Sequence, residues 1–190
     1  MLSAIIATHE SERSLVPTLA ALVPAVTCGL LREVVVADAA STDATAEVAE
    51  IAGCRFMSSP EPLGGLLNAA AAATHTPWLL FLRAGTVPEA GWIQAAERFM
   101  QTADTPIAAE RAAVFRQMGE AQAMRPALPQ LLTLLRAMLG RPKPDQGLLI
   151  ARRFYDALGG HAGKADAEAA LLRKLGRRRI AMLAAGAANT

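Results

Sequence analysis

Apolar positions along the chain fall into short blocks separated by polar turns. Leu2 to Ala7 is a continuous apolar run, the mark of a strand buried on both faces, and Thr8-His9-Glu10-Ser11-Glu12 is its polar exit. Ser14 to Leu22 has helical character, with Pro17 tolerated in the first turn. Val34 to Val36 form a second strand that runs into Asp38. Ser41, Thr42 and Asp43 are N-cap residue types. The helix after them is predicted to bury Ala44, Val48, Ile51 and Ala52, and Gly53 ends it. Arg55 to Met57 is a short third strand, Gly64 to Thr74 an alanine-rich helix, and Trp78 to Leu82 a fourth strand. After a loop from Arg83 to Pro88, Trp92, Ile93, Ala96, Phe99 and Met100 recur at helical spacing.

This βαβαβαβα order predicts an α/β fold, a doubly wound, mostly parallel mixed sheet flanked by helices, with right-handed crossovers. From about Ile107 the pattern is less regular. Ala108 to Gln117 is a candidate strand, Pro126 to Leu139 a helix, and Gly140 to Pro144 a loop. Leu148 to Ala151 is a strand, followed by a helix from Arg152 to Leu158 that Gly159-Gly160 breaks. Asp166 to Leu175 is a last helix and Arg179 to Leu183 a final strand. With no internal repeat and no long linker, residues 1–190 are expected to form one domain of two halves, 1–105 and 106–190.

The strand-to-helix segment Glu33 to Thr45 locates a candidate site, because open parallel sheets bind ligands where strand C-termini meet helix N-termini. Composition narrows what that ligand is. Hydrophobic residues make up 53% of the chain, which excludes a disordered protein. The formal net charge of +2 demands no nucleic-acid partner. The run Arg177-Arg178-Arg179 is either solvated surface or a contact for anionic lipid or phosphate. Cys28 and Cys54 lack CxxC spacing and are expected to be reduced core thiols of a cytoplasmic protein. The first seven residues are too short and uncharged for a signal peptide. No apolar run reaches the ~20 residues of a membrane span. Leu131 to Leu139, interrupted by Arg136, is a core helix, a homodimer face or a peripheral membrane contact. His9, His75 and His161 are too scattered for zinc. The chain has no nucleophile elbow, P-loop or dinucleotide fingerprint.

Five segments in order resemble the family-2 glycosyltransferases of GT-A fold. Ser3-Ala-Ile-Ile-Ala-Thr8-His9-Glu10 resembles the first strand and its exit. Val34-Val-Val-Ala-Asp38-Ala-Ala-Ser41-Thr42-Asp43-Ala-Thr45 resembles the Asp-Gly-Gly-Ser-Thr-Asp-Gly-Thr signature. Gly64-Gly-Leu-Leu-Asn68 resembles the glycine-asparagine helix. Trp78-Leu-Leu-Phe-Leu82 resembles the strand before the metal-binding Asp-x-Asp. Asp145-Gln146 through Gly159-Gly160 resembles the acceptor-side strand and helix.

The resemblance implies a nucleotide-sugar donor bound by residues 1–105 and a hydroxyl acceptor bound by 106–190, with inverting transfer between them. Thr8, His9 and Glu10 would border the nucleobase pocket. Asp38 would accept from base or ribose, as an ionised carboxylate accepts only; alternatively it caps its own loop. Asp43 is a donor-side residue or a helix N-cap. Asn68, a poor helix former inside an alanine helix, would contact either a neighbouring loop or the donor, and Asp145 and Gln146 would face the acceptor. Asp166 is the first candidate base and Glu168 the second, although acids in a first helical turn are also favoured by the helix dipole.

The sequence departs from the family pattern in the loop after Leu82, at Ala39-Ala40, and in having no histidine after Asp166 to serve as a late metal ligand. The resemblance implies Mg or Mn on the donor diphosphate, yet the expected ligand position is Gly85, so the Asp-x-Asp motif is degenerate. Arg83 is then either a direct phosphate contact or a surface residue. A second reading follows, a catalytically inactive GT-A-fold binding or scaffold protein, which Ala39-Ala40 in place of paired glycines also suggests. A nucleotidyltransferase, a third reading, would want a basic glycine-rich loop where Thr8 to Glu12 is acidic.

Overall fold

The computed structural model describes residues 1–103, 110–117, 144–164 and 166–189. Eight strands form one sheet: β1 (Leu2–Thr8), β2 (Leu31–Asp38), β3 (Arg55–Ser58), β4 (Trp78–Arg83), β5 (Thr86–Pro88), β6 (Ala112–Gln117), β7 (Leu148–Ala151) and β8 (Ile180–Asn189). Their spatial order is β3-β2-β1-β4-β7-β6-β8-β5. The first four run parallel, with Ala7 level with both Ala37 and Arg83 and Thr8 level with Asp38. β7 is antiparallel to β4 and β6, β6 is parallel to β8, and β5 is antiparallel to β8. The predicted mixed, mostly parallel sheet is what forms.

Sequence explains why the centre holds. All seven residues of β1 are buried, as are Trp78 to Leu82 of β4. The polar Ser3 is accommodated because its hydroxyl shares a 2.8 Å hydrogen bond with Thr76 and donates to Glu33. Helix α1 (Glu12–Thr27) turns Leu15, Thr18, Leu22 and Ala25 inward, and it runs through Pro24 beyond the predicted end at Leu22. Each fully buried leucine contributes roughly 2 kcal/mol, so Leu15 and Leu22 fix this helix to the sheet. Helices α2 (Thr45–Ile51), α3 (Leu63–Ala72) and α4 (Trp92–Ala103) follow. On α4, Trp92, Ala96 and Met100 are buried with Ile93 and Phe99 packed beside them, as the spacing predicted.

Helices α5 (Arg152–Ala157) and α6 (Ala167–Leu175) belong to the second half. Arg152 joins the halves. Its Nε donates to the Thr76 carbonyl at 2.7 Å, its Nη1 to the Ala71 carbonyl at 2.8 Å, and its Nη2 to the Thr74 hydroxyl. A cation on these carbonyls also suits the negative end of α3.

Several expectations are corrected. Helix α2 buries Thr45 and Ala49, with Val48 half-buried, while Ala52 is exposed and Ile51 is 81% exposed. The predicted face was shifted because Thr45, though polar, has its hydroxyl satisfied and can be buried. The loop after Arg83 contains β5, and β8 extends six residues past Leu183. Cys28 is exposed beyond the last buried turn of α1 and is not a core thiol, whereas Cys54 is half-buried and packs against the core; both are free. The predicted helix Pro126–Leu139, the following loop to Lys143 and the first residues of the strand predicted from Ala108 lie outside the described residues. Among the described residues no helix is long and apolar enough to cross a membrane.

Candidate active site

The C-terminal ends of β2, β1 and β4 stand side by side and carry Asp38, Thr8 and Arg83. Neighbouring strands lie about 4.8 Å apart, so Asp38 and Arg83 are separated by about 10 Å, the span of two strand spacings. Asp38 is 1% exposed. Its Oδ1 accepts from the Thr8 hydroxyl at 2.9 Å and from the Ser41 hydroxyl, and its Oδ2 from the Ser41 amide at 2.8 Å and the Ser58 hydroxyl at 3.1 Å. Burial alone would raise the Asp38 pKa; the donors from Ser41, Thr8 and Ser58 outweigh it and hold the carboxyl below its ordinary value. The carboxylate therefore laces β1, β2, β3 and the β2–α2 loop together. Ser41, read from sequence as an N-cap type, and Ser58, not singled out, are part of this cluster.

A second lattice joins the loops that follow β1 and β2. Glu10 accepts from the Thr42 amide at 2.7 Å and hydroxyl at 3.1 Å, and its own amide donates to the Ser41 hydroxyl. His9 Nδ1 lies 3.0 Å from the Ala39 carbonyl. Asp43 Oδ2 accepts from the Glu12 amide, and Oδ1 from the Thr45 amide and hydroxyl. The Thr45 hydroxyl accepts from the Ser11 amide, and Glu12 returns a contact to the Ala44 amide. Asp43 thus caps the first turns of α1 and α2 at once. The Thr45 hydroxyl is the main cause of its lowered pKa. Glu10 and Ala40 both adopt left-handed backbone, at φ 48° and 55°. Such conformations cost roughly 1–3 kcal/mol each in non-glycine residues, and the hydrogen bonds between the loops offset it.

Across the rim, Arg83 meets α6. Its Nε donates to Glu168 Oε2 at 2.9 Å, and its Nη2 contacts the same oxygen. The Glu168 hydrogen bond, reinforced by the charges of Glu168 and Asp145, raises the Arg83 pKa although burial opposes it. Asp145 and the buried Gln146 lie in a 3-10 turn beside β4 and α6. Asp166 precedes α6 and points elsewhere: its side chain is 57% exposed and pairs with Arg173 at 2.8 Å, whereas Glu168 is 13% exposed. Of the two candidate bases, Glu168 is the one brought to the sheet edge. The signal was present in the sequence, since Glu168 precedes the buried Leu171 and Leu175 by three and seven residues, on the same helix face.

Asn68 is exposed on α3 and accepts from the Tyr155 hydroxyl at 3.3 Å. That hydroxyl also lies 2.9 Å from His161 Nδ1 and accepts from the His161 amide at 3.1 Å. The pair packs against Phe81, with ring centroids 5.1 and 4.7 Å away. Burial pushes Tyr155 up to about 12 and His161 down to about 4. Gly159 and Gly160, at φ 76° and 61°, turn the chain over this pair toward α6.

The residues at the expected metal position do not fit a divalent cation. A guanidinium stands where the motif begins. Gly85 has no side chain, lies at φ 93°, and sends its amide into α1, onto the Ser14 carbonyl and the Thr18 hydroxyl, both at 2.9 Å. Among the described residues no three His, Cys, Asp or Glu side chains gather as a metal site. A groove of about 440 Å³, lined by residues including Arg32, Glu33 and Arg55, lies at the opposite, N-terminal edge of the sheet, away from the edge where ligands bind in such folds.

A parallel four-strand half with acidic and polar side chains at its C-terminal rim, extended by an antiparallel β7 and a mixed outer half, defines a GT-A-type sheet. The sequence profile described as Glycosyl transferase family 2 matches residues 3–152. The chain belongs to that family, whose members are glycosyltransferases. No relative is found among curated proteins. Solved structures agree on the fold. Glucosyl-3-phosphoglycerate synthase from Mycobacterium tuberculosis, in complex with Mn2+, uridine diphosphate and glucosyl-3-phosphoglycerate, superposes with a TM-score of 0.69 at 23% identity, over 96% of this chain and 68% of that one. The same enzyme with Mg2+ and uridine diphosphate gives 0.70 at 22% identity, over 96% and 68%. TarS 1-349 of S. aureus gives 0.72 at 17% identity, over all of this chain and 60% of that one.

Proposed function

We propose that this protein transfers a sugar from a nucleoside diphosphate donor to a hydroxyl acceptor with inversion. The observation that carries this reading is the alignment of Asp38, Thr8 and Arg83 along three adjacent strand ends, with Glu168 reaching in from α6. The nucleoside lies over the Thr8–Asp38 end, bordered by His9, Glu10 and the loop around Asp43. The diphosphate lies toward Arg83, and Asn68 lines the donor side. The acceptor enters beside Asp145 and Gln146. Glu168 is the base best supported by geometry and Asp166 the second. The acceptor oxygen attacks C1, its proton passes to the carboxylate, and the C1–O bond breaks with its electron pair leaving on the diphosphate.

Uridine diphosphate is the first donor product to test, because the mycobacterial relative is solved with it; guanosine diphosphate is the control. Calorimetric titration of the full chain with both, with and without Mn2+, tests the donor reading, and absence of binding in every condition would sink it.

Gly85 and the Arg83–Glu168 pair favour one alternative, an inactive GT-A-fold binding protein. Slow hydrolysis of uridine- and guanosine-diphosphate sugars decides between them. Turnover lost in Glu168→Gln or Asp166→Asn would exclude the inactive reading.

A further inference from the structure

Arg83 stands where the family's pattern places the first metal-binding carboxylate; its own charge opposes a divalent cation there, and among the described residues no three His, Cys, Asp or Glu side chains gather to hold one. A cation's task there is to neutralise charge gathering on the departing diphosphate. A guanidinium can do the same work, since its forked donors match phosphate oxygens two at a time. In the present state that fork is engaged by Glu168, through Nε and Nη2 onto one carboxylate oxygen. Arg83 nonetheless keeps 45% of its side chain exposed, at the rim rather than in the core. Asp145 adds a second negative charge to its surroundings. Among the described residues, the charges that act on the Arg83 guanidinium are thus two carboxylates, Glu168 and Asp145, which an incoming anion must displace or outweigh to take the fork.

We infer that Arg83 replaces the divalent cation and that the Arg83–Glu168 ion pair is an exchange operated by the donor. This rests on the nucleotide-sugar reading above. The diphosphate carries more charge than one carboxylate and offers several oxygens, so it displaces Glu168 from the fork. Glu168 then loses the hydrogen bonds that held its lone pairs, and its oxygen is released beside the reacting centre only when donor is present. Arg83 stabilises the leaving diphosphate as the C1–O bond breaks and its electron pair moves to the phosphate oxygen. Glu168 receives the acceptor's hydroxyl proton. No metal enters the balance.

The test is titration of uridine and guanosine diphosphates into wild type, Arg83→Gln, Arg83→Lys and Glu168→Gln, in chelator and in Mn2+, with circular dichroism as a fold control. Wild type is expected to bind one diphosphate with less than about a twofold difference between chelator and Mn2+. Arg83→Gln should weaken it about thirtyfold, the loss of a charge-assisted contact, and Arg83→Lys by about fivefold, because a point charge replaces the fork. Glu168→Gln should tighten diphosphate binding about fivefold, as a competing charge is removed, while sugar transfer falls at least a hundredfold. A purely structural ion pair would not give tighter binding with lost turnover. Binding that appears only with Mn2+, equal affinity in Arg83→Gln, or unchanged or weaker affinity in Glu168→Gln overturns the exchange alone. If no nucleotide binds wild type, the donor reading falls and the exchange with it.

Discussion

Gly64 on α3 lies so close to the loop before α6 that a Cβ there would come 1.9 Å from the Ala162 carbonyl oxygen and 2.4 Å from the Ala167 Cβ. Backbone, not a flexible side chain, blocks the space. This contact sets how near the α6 segment, and with it Glu168, sits to α3. Gly64→Ala should cost about 2–3 kcal/mol, in the range of overpacking. Urea denaturation would read this as a lower midpoint with an unchanged slope. A midpoint within error of wild type would mean that the loop yields freely. Turnover should fall more than donor affinity, because Glu168 moves while the Asp38 cluster does not.

Asp38 offers a separate check. Its carboxylate accepts four hydrogen bonds from within the protein, two at each oxygen. Asp38→Ala leaves those donors without their acceptor in a buried place, at a cost of about 3 kcal/mol. Asp38→Asn keeps one oxygen and should lose roughly half as much, since its amide faces two donors. Chemical denaturation of both variants measures this. If Asp38→Ala is as stable as wild type, the lattice does not hold the rim together. A drop in nucleotide affinity in Asp38→Asn larger than the fraction unfolded would assign Asp38 a ligand contact as well.

Long apolar runs explain what the sequence disclosed. β1, β4 and β7 are buried on both faces, so their hydrophobic runs marked them almost to the residue. β5 was missed because Thr86-Val87-Pro88 is three residues long and contains proline, and it exists only by pairing with β8. β8 was cut short because its second half, Ala184-Ala-Gly-Ala-Ala-Asn189, has little β-branched or aromatic character; pairing with β5 and β6 fixes it. The hydrogen-bonded cluster at the strand ends was legible because Asp38, Ser41 and Asp43 are close in sequence. The Arg83–Glu168 pair was not, because it joins residues 85 positions apart. The choice of Glu168 over Asp166 was open to sequence reading through the apolar Leu171–Leu175 face of α6, which carries Glu168.

His161 should make stability depend on pH in a defined window. Its pKa is about 4 in the fold, lowered by burial, against an ordinary value of 6.5. Between these values the unfolded chain binds the proton and the native chain does not, so stability rises with pH there. The contribution is complete above pH 6.5 and is lost as pH falls toward 4, by about 3 kcal/mol. Urea midpoints taken from pH 7.5 to 4.5 should decline for wild type and flatten for His161→Phe. Equal slopes in the two proteins would remove His161 as the cause. The lowered pKa values of Asp38 and Asp43 act in the same direction but further into acid, as carboxylates begin to take up protons below about pH 4.

Gly85 makes a metal-binding carboxylate hard to introduce by one substitution. At φ 93° an L-residue is strained, and the Gly85 amide is committed to Ser14 and Thr18 of α1. Gly85→Asp should therefore destabilise the chain by about 1–2 kcal/mol, seen as a thermal midpoint several degrees lower. It should also fail to create Mn2+-dependent nucleotide binding, because one added carboxylate would face the Arg83 cation instead of a second metal ligand. Arg83→Asp/Gly85→Asp removes that opposing charge and supplies two carboxylates. Only this double variant is expected to bind Mn2+ measurably, at millimolar strength or weaker, since an unorganised two-ligand site fixes the ion poorly. Manganese electron paramagnetic resonance on the three proteins distinguishes them. A tight Mn2+ signal from Gly85→Asp alone would show that the loop re-forms a metal site despite Arg83, and that glycine at this position, not the guanidinium, is what keeps the cation out.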